Sequence, residues 1–303
     1  MSSLESDALR AQYQDMADRM AADSDMRLPA LRAMFEELHT LASEPVGVSY
    51  EEGMAGSCRA LWCIPVDAAS DRVLLYFHGG GFVTNSADSH RKMAAHLAKA
   101  AGVRALVLDY RRAPEHPCPA QLEDAVSTYR WLLEQGYAAR HIASVGDSAG
   151  GNLATGAVLA LRNNGIELPA AIVAISPAYD VDGRSRNVDS DARNDAILTK
   201  VKSLGLVSLY LGERGSATDP LVNPLYADLT GLPPIYLSCG THETLRDDAV
   251  RFAALAEKAG VSATLDVNRG MQHVHTYMAG RAPEADATIA AIGGWLRPRL
   301  GLT

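Results

Sequence analysis

Few cysteines occur in the chain, and their spacing excludes two kinds of stabilised fold. Only four are present in 303 residues, and none forms a CxxC pair: Cys58, Cys63, Cys118 and Cys239. Cysteines this sparse fit neither a disulfide framework nor a structural zinc site. We therefore expect buried free thiols in a reducing cytoplasm.

Excess basic charge and long apolar runs are missing as well. Acidic residues outnumber lysine and arginine by 36 to 28, and the net charge is −8, so nucleic acid is not an expected partner. No apolar run approaches the ~18 residues of a membrane helix. The N-terminal MSSLESDALRAQYQDMADRM has no apolar core of signal-peptide length. These absences predict a cytoplasmic protein without a membrane partner.

The apolar residues that are present first follow a helical period. They make up 48% of the chain, enough to form a substantial core. Between residues 4 and 43 they recur three and four positions apart, which predicts amphipathic helices. Four methionines in this segment either line an adaptable apolar pocket or fill an ordinary helix core: Met16, Met20, Met26 and Met34.

From residue 46 onward, short apolar strands alternate with helical segments. Gly53 and Gly56 are placed in the turn between the first two strands. In chain order, the predicted strands span 48–50, 58–64, 72–77, 104–109, 141–145, 171–175, 235–239 and 263–267. Most are continuous apolar runs, typical of parallel strands covered on both faces. The predicted fold class is α/β, with a mostly parallel eight-stranded sheet flanked by helices and an antiparallel first pair.

The stretch from about 183 to 219 interrupts this alternation. It contains RSRNVDSDARND, then a helical pattern over 198–211, and no strand. Insertions this long are usually functional or disordered, and this one is placed over the carboxyl edge of the sheet, where such folds bind ligands. No linker indicates a second independent domain. We expect one domain over 46–303 with this insertion, preceded by a helical segment over 1–45.

The motif GDSAG at 146–150 lies between a predicted strand and a predicted helix. It fits G-x-S-x-G, in which a serine occupies a strained strand-to-helix turn. Side chains two residues to either side would collide, so glycine is needed at both places. The helix that follows directs its first N–H groups toward the site and favours developing negative charge. Ser148 is therefore a candidate nucleophile, although a loop of small residues is the alternative interpretation.

The motif HGGGF at 78–82 directly follows the third predicted strand. A tetrahedral intermediate needs N–H donors fixed in advance, and glycines allow the backbone to approach and supply them. A phosphate-binding loop would instead require G-x-x-x-x-G-K-[ST], which this stretch does not match. His78 is assigned a structural role in holding the loop.

A serine hydroxyl needs a base to accept its proton before it attacks a carbonyl. Among nine histidines, His273 directly follows the last predicted strand, where a base can reach the carboxyl edge of the sheet. His275, two residues later, is the competitor. The His-x-His spacing is also found in metal sites, but no third ligand lies nearby in sequence, so no metal is predicted.

The base in turn needs a carboxylate to orient it. Glu243 comes earliest after the strand over 235–239 and is the preferred acid, with Asp247 as the alternative. Asp247 and Asp248 fall in the first turn of the next helix, where acids favour the helix dipole. The order Ser148, Glu243, His273 is that of the α/β-hydrolase fold.

Taken together, these motifs resemble a known family. HGGGF at 78–82, DYRRAPEHPCPAQLEDA at 109–125 and GDSAGGNLA at 146–154 are similar to the hormone-sensitive-lipase-like branch of the α/β-hydrolases, the family IV bacterial esterases. The stretches over 219–237 and 270–296 look like members that are esterases or monoterpene ε-lactone hydrolases. The resemblance covers roughly residues 45–300.

The resemblance implies roles for individual residues. Ser148 matches the nucleophile and His273 the base, while Gly80, Gly81 and Ala149 match the donors of the oxyanion hole. The N-terminal helices and the 183–219 insertion match a helical cap over the acyl pocket. Three positions depart from the family pattern: Glu243 replaces the usual aspartate, Arg112 an apolar residue and His275 an aromatic. Two further residues, Arg111 and Glu115, match positions that brace the loops.

These inferences predict a serine carboxylesterase that hydrolyses small, short- to medium-chain esters through an acyl-enzyme, without a cofactor. A terpenoid lactone or an acetylated small molecule is an alternative substrate for the same triad. A non-catalytic ligand-binding module is the alternative from another class, and the presence of His273 argues against it. The sequence leaves the oligomeric state open, with a homodimer as one alternative.

Overall fold

A computed structural model describes residues 3–23, 25–183, 194–198 and 205–303. The eight strands are β1 (Val48–Ala55), β2 (Cys58–Pro65), β3 (Ala69–Phe77), β4 (Val103–Leu108), β5 (Ile142–Asp147), β6 (Ala171–Ile175), β7 (Ile235–His242) and β8 (Ala263–Gln272). The helices are α1 (Leu4–Ala22), α2 (Leu28–Glu36), α3 (Ala87–Ala101), α4 (Ala120–Glu134), α5 (Ala149–Asn163), α6 (Leu206–Leu211), α7 (Arg246–Lys258) and α8 (Pro283–Arg299). Part of the predicted 183–219 insertion lies outside the described residues.

The strands form a single sheet in the order β1-β2-β4-β3-β5-β6-β7-β8. β2 is antiparallel to both β1 and β4, and every pair from β4–β3 to β7–β8 is parallel. The central strands end at the same edge, so the loops that follow β3, β5, β6, β7 and β8 meet there. The predicted eight-stranded, mostly parallel α/β sheet is confirmed.

Successive residues of each central strand pack against opposite layers of helices. In β3, Leu74 and Tyr76 join the apolar cluster that includes α1, α2, α3 and α8. Val73, Leu75 and Phe77 join the cluster that includes α4 and α5. Burial on both faces explains why β3 is apolar without alternation.

Two local predictions are corrected. Gly53 lies inside β1 and pairs with Ala60, so it is not part of the turn; the turn falls at Gly56, which has a φ of 63°. The apolar pattern after GDSAG predicts a helix from about 152 to 163, but α5 begins three residues earlier, at Ala149, because β5 ends at Asp147 and Ser148 alone separates strand from helix.

The N-terminal methionines belong to the core rather than to a pocket wall. Met16, Met20 and Met34 are buried in the cluster between the N-terminal helices and α3 and α8, and Met26 packs against it. Of the two interpretations of these methionines, the helix core is the one that the structure shows. Among the cysteines, all four thiols are free, and Cys118 is the one that is partly exposed.

Candidate active site

Ser148 lies in a turn of one residue between β5 and α5. Its backbone is strained, with φ of 52° and ψ of −120°, and its N–H donates to the carbonyl oxygen of Ile175 at 2.8 Å. A Cβ on Gly146 would lie 2.2 Å from the oxygen of Gly150, and one on Gly150 would lie 2.0 Å from the oxygen of Phe77. Both flanking glycines are therefore sterically required.

The ends of β5, β7 and β8 bring three predicted residues together. His273, the first residue after β8, places its Nε2 3.0 Å from the hydroxyl of Ser148. Glu243, the first residue after β7, accepts a hydrogen bond from His273 Nδ1 at 2.8 Å. The sequence separates Ser148 from His273 by 125 residues, and parallel strand ends place them at one edge of the sheet.

Glu243 is fully buried in a shell of donors. Its second oxygen accepts the N–H of Gly240 at 2.9 Å, and the hydroxyl of Ser176 also bonds to it. Burial raises the pKa of Glu243 above its ordinary value, and the bonds from His273, Gly240 and Ser176 oppose that rise. These donors offset part of the cost of burying the carboxylate, which can hold the imidazole in one orientation.

The alternative acids and bases lie elsewhere. Asp247, in the first turn of α7, faces Arg251 at 3.8 Å, and Asp248 accepts the N–H of Asp180 at 2.8 Å. His275 directs its Nε2 to the hydroxyl of Thr288, 2.8 Å away on α8.

His78 and the glycines after it form a tight loop beside Ser148. The His78 ring stacks on Tyr110 with centroids 4.1 Å apart, and its Nδ1 donates to the oxygen of Gly79 at 2.8 Å. Gly80 and Gly81 have φ of 107° and 61°, and a Cβ on Gly80 would lie 2.4 Å from the oxygen of Thr84. This backbone is accessible to glycine and strained for other residues.

The amides that the sequence assigns to an oxyanion hole lie at this loop and at the start of α5. Within the described ranges, no protein oxygen accepts a hydrogen bond from the amides of Gly80, Gly81 or Ala149. Ala149 is the first residue of α5, where helix N–H groups have no partner inside the helix. These amides are therefore available to a bound anion.

Sequence reasoning missed a buried network behind the glycine loop. Asp147 accepts the hydroxyl of Tyr76 at 2.7 Å and the N–H of Gly79 at 3.2 Å. Its other oxygen lies 3.3 Å from His90, which also contacts the hydroxyl of Tyr277 at 2.7 Å. Burial acts to raise the pKa of Asp147, but His90 and Tyr76 outweigh it and hold that pKa below its ordinary value. Asp147 thus links the nucleophile turn to the glycine loop.

Two other positioning contacts were also missed. The hydroxyl of Ser176, directly after β6, accepts the N–H of Val274 at 3.0 Å beside the base. The hydroxyl of Tyr13, on α1, donates to the carbonyl oxygen of His273 at 2.9 Å. A polar residue at the carboxyl end of a buried strand is a signal for Ser176, whereas no local pattern marks Tyr13.

The N-terminal helices are joined to the glycine loop by one arginine. Arg32, on α2, donates through Nε to the oxygen of Val83 at 2.8 Å and binds both carboxylate oxygens of Glu115 at 2.7 Å. The Arg32 guanidinium lowers the pKa of Glu115 to about 2. Arg111 binds Asp124 and Glu123 in a separate cluster. Both residues that the resemblance marks as loop braces thus lie in ion pairs.

Two cavities meet at Ser148. The larger, of about 170 Å³, has a mostly apolar wall that includes Phe82, Val181, Leu206 and Tyr210, and it reaches Ala149. The smaller, of about 50 Å³, is lined by His273, Gly80 and residues of the N-terminal segment, Tyr13, Phe35 and Leu38. The nucleophile therefore lies between two apolar compartments of unequal size.

Two kinds of feature are absent from residues 3–23, 25–183, 194–198 and 205–303. No group of three or more His, Cys, Asp or Glu side chains suited to a metal ion occurs among them. None of the helices described above is long and apolar enough to cross a membrane.

An eight-stranded, mostly parallel sheet with a strained serine after its fifth strand, and a histidine and carboxylate from later strand ends, defines an α/β-hydrolase. Comparison with known proteins agrees, since a family model described as alpha/beta hydrolase fold matches residues 74–277. An acetyl-hydrolase of Streptomyces hygroscopicus is 39% identical over 249 residues, covering 81% of this chain and 82% of that relative. An esterase of Acinetobacter venetianus is 32% identical over 229 residues, 76% of each.

The structural comparison points to the same branch. An esterase from the bacterial hormone-sensitive lipase family has a TM-score of 0.93 and 40% sequence identity, over 99% of this chain and all of that one. The chain belongs to the α/β-hydrolase fold family, in its bacterial hormone-sensitive-lipase branch. The family and the enzyme class predicted from the motifs are confirmed.

Replacing Glu243 with alanine is expected to lower kcat by on the order of 10³- to 10⁴-fold, because the imidazole loses the partner that fixes its tautomer. Asp247→Ala is the matched control, since it removes a carboxylate four residues away, and it should change kcat by less than about threefold. Steady-state hydrolysis of p-nitrophenyl butyrate by both variants measures the difference. The reverse ranking would assign the acid to Asp247.

The buried His275 is expected to make the fold sensitive to acid. Burial lowers the pKa of His275 to about 4 from 6.5, so the unfolded chain binds the proton more tightly. The free energy of unfolding should therefore fall as pH decreases from 6.5 to about 4, by roughly 3 kcal/mol from this group.

The control for this acid sensitivity is His275→Phe. Thr288 also donates to Asn268 at 3.1 Å, a bond that does not involve His275, so the substitution should remove one titrating group and leave that hydroxyl partnered. Urea unfolding at several pH values should show a shallower pH dependence for His275→Phe than for the unaltered chain. Parallel curves for the two proteins would contradict this origin of the sensitivity.

Proposed function

We propose that this carboxylesterase hydrolyses small, short- to medium-chain carboxylic esters through an acyl-enzyme on Ser148. His273 serves as general base and acid, Glu243 orients it, and the amides of Gly80, Gly81 and Ala149 bind the oxyanion. The observation that carries the proposal is the continuous hydrogen-bonded series from Ser148 Oγ to His273 at 3.0 Å and from His273 to Glu243 at 2.8 Å.

In the acylation step, the Ser148 hydroxyl transfers its proton to His273 Nε2 while its oxygen attacks the ester carbonyl. The carbonyl electrons move to the oxygen, which the free amides stabilise. The tetrahedral intermediate collapses when His273 returns the proton to the leaving alcohol. Glu243 stabilises the imidazolium during this exchange. The products of the step are a free alcohol and an ester of Ser148.

In the deacylation step, water takes the place of the departed alcohol, and the same sequence of proton transfers follows. His273 takes a proton from the water, whose oxygen attacks the acyl carbon, and Ser148 leaves with that proton. The carboxylic acid is released and the enzyme is restored. The amides of the glycine loop and of α5 are held by the backbone in every step, so they need no reorganisation.

The two cavities support a placement of the ester. His273 must protonate the leaving oxygen, so the alcohol belongs in the compartment that His273 lines, of about 50 Å³. The acyl chain belongs in the apolar compartment of about 170 Å³. We propose that the N-terminal helices and the insertion at about 183–219 form a cap, because Tyr13 and Phe35 line one cavity and Leu206 and Tyr210 the other.

A second candidate is removal of an acetyl group from a larger alcohol. The name of the Streptomyces relative, acetyl-hydrolase, favours it. An acetyl group would fit the smaller compartment, which would reverse the placement given above. A terpenoid lactone is the third substrate class to test, because the same groups can open a ring.

A panel of esters is expected to separate these candidates. Ethyl butyrate, ethyl hexanoate, phenyl acetate and ε-caprolactone are hydrolysed in parallel, with Ser148→Ala as the blank. The proposed placement predicts that the ethyl esters of four- to six-carbon acids have the highest kcat/KM. Preference for phenyl acetate would favour the acetyl candidate, and preference for the ring would favour the lactone candidate. No turnover of any ester would overturn the proposed function.

A further inference from the structure

Residues 194–198 form a short described segment that is attached to the loops of the active site through two buried side chains. Asp195 accepts the N–H of Thr244 at 2.8 Å. Gln272 accepts the N–H of Ala196 at 3.1 Å and donates to the carbonyl oxygen of Asn194 at 2.8 Å. Asp195 and Gln272 are 6% and 4% exposed, so these bonds are shielded from water.

The two attachment points adjoin the proposed acid and base. Thr244 directly follows Glu243, and Gln272 directly precedes His273. The same loops at the ends of β7 and β8 thus hold both the proposed proton-transfer groups and the segment 194–198. Neither Asp195 nor Gln272 has a place in the reaction steps described above.

The other oxygen of Asp195 sets the conformation of the next residues. It accepts the N–H groups of Ile197 at 3.1 Å and of Leu198 at 2.8 Å. A carboxylate that binds the amides two and three positions later fixes a local turn. The directions of the Ile197 and Leu198 side chains therefore depend on Asp195.

These two side chains form part of the pocket at Ser148. Ile197 lines the smaller cavity, and Leu198 lines both cavities. Leu198 thus borders the proposed acyl compartment and the proposed alcohol compartment at the nucleophile. A displacement of Leu198 would change the size of both compartments while leaving Ser148, His273 and Glu243 in place.

We propose that Asp195, supported by Gln272, is a positioning residue that determines acyl-chain specificity by holding Leu198 as a wall of the pocket. The inference rests on the proposed function, since it assumes that the ester occupies the cavities at Ser148. Asp195 contacts no reacting atom and acts through Leu198. Because the turn and the bond from Thr244 meet on one carboxylate, a single substitution at Asp195 removes both.

The test compares Asp195→Ala, Leu198→Ala and the double variant on ethyl acetate, ethyl butyrate and ethyl hexanoate. Rates are expressed per active site, counted by fluorophosphonate labelling. Asp195→Ala is expected to raise KM for the butyrate ester about tenfold with kcat changed less than about threefold, and to shift preference toward the hexanoate ester. Leu198→Ala should give the same shift. In the double variant the two effects should not add, because both remove one wall.

The control is Asp228→Ala. Asp228 makes a turn of the same kind at the surface, accepting the N–H of Thr230 at 2.9 Å, and its loss should leave KM and chain preference unchanged. If Asp195→Ala does not fold, Asp195→Asn serves instead, since its amide cannot accept from both Thr244 and the turn, and a KM increase of about threefold is expected.

Two outcomes would overturn the proposal. One is that Asp195→Ala has a lower melting temperature, or fewer active sites that label with the fluorophosphonate, while KM and chain preference per active site are unchanged. The other is full additivity of Asp195→Ala and Leu198→Ala. Failure of the proposed function itself is distinguishable, because the unaltered chain would then neither turn over the esters nor label at Ser148.

Discussion

Ser148→Ala is expected to lower kcat for ester hydrolysis by at least about 10⁴-fold without unfolding the chain. The substitution removes one oxygen, and no other described hydroxyl lies in the turn between β5 and α5. What remains is binding by the apolar cavities and the free amides, which stabilise the transition state but cannot form the acyl-enzyme. The rate is measured with p-nitrophenyl butyrate at enzyme concentrations high enough to detect the residual turnover.

The matched control for Ser148→Ala is Ser144→Ala. Ser144 lies on the same strand, and its buried hydroxyl donates to the oxygen of Ala154 at 2.8 Å. Losing that bond should cost about 1 kcal/mol of stability and leave most turnover. Thermal melts of both variants should remain cooperative. Retained hydrolysis in Ser148→Ala would remove the serine from the mechanism.

His273→Ala is expected to have an effect of similar size, on the order of 10⁴-fold in kcat, because His273 is the base that the described residues place within hydrogen-bonding distance of the serine. The variant also leaves the carboxylate of Glu243 buried without its imidazole. Some loss of stability is therefore expected, and kcat must be expressed per folded molecule.

His275→Ala provides the comparison, since it removes an imidazole two residues away. This ring bonds to Thr288 rather than to Ser148, so most turnover per folded molecule should be retained. If both histidine variants lose activity equally, the result would not support His273 over His275 as the base. A rate in His273→Ala close to that of the unaltered chain would contradict it directly.

Much of the fold could be predicted because the strands carry local signals. Continuous apolar runs such as that of β3 indicate burial on both faces whatever their partners are. The points at which β7 and β8 end could not be predicted in this way. Their last residues, 240–242 and 268–272, are polar or glycine apart from the buried Met271. They still pair, Gly240 with Asn268 and, across an irregularity, His242 with Gln272. Backbone pairing there depends on the neighbouring strand and not on the side chains.

The residues of the candidate site also differ in whether the sequence could predict them. Ser148 and the loop of Gly80 and Gly81 belong to compact motifs whose steric needs can be worked out from a few neighbouring residues. Tyr13 and Asp195 carry no such signal, because each acts on a residue far along the chain. Tyr13 reaches His273 across 260 positions, and Asp195 reaches Thr244 across 49. Their contribution depends on the tertiary structure.

The proposed chemistry requires that the hydroxyl of Ser148 be a nucleophile activated by the folded protein. Labelling with a fluorophosphonate probe, followed by mass spectrometry of the digested protein, tests this most directly. A phosphonyl adduct is expected on the peptide that contains Ser148 in the folded chain, with none there after urea denaturation or in Ser148→Ala. An enzyme that hydrolyses esters while Ser148 stays unlabelled, or that labels at another residue, would contradict the account.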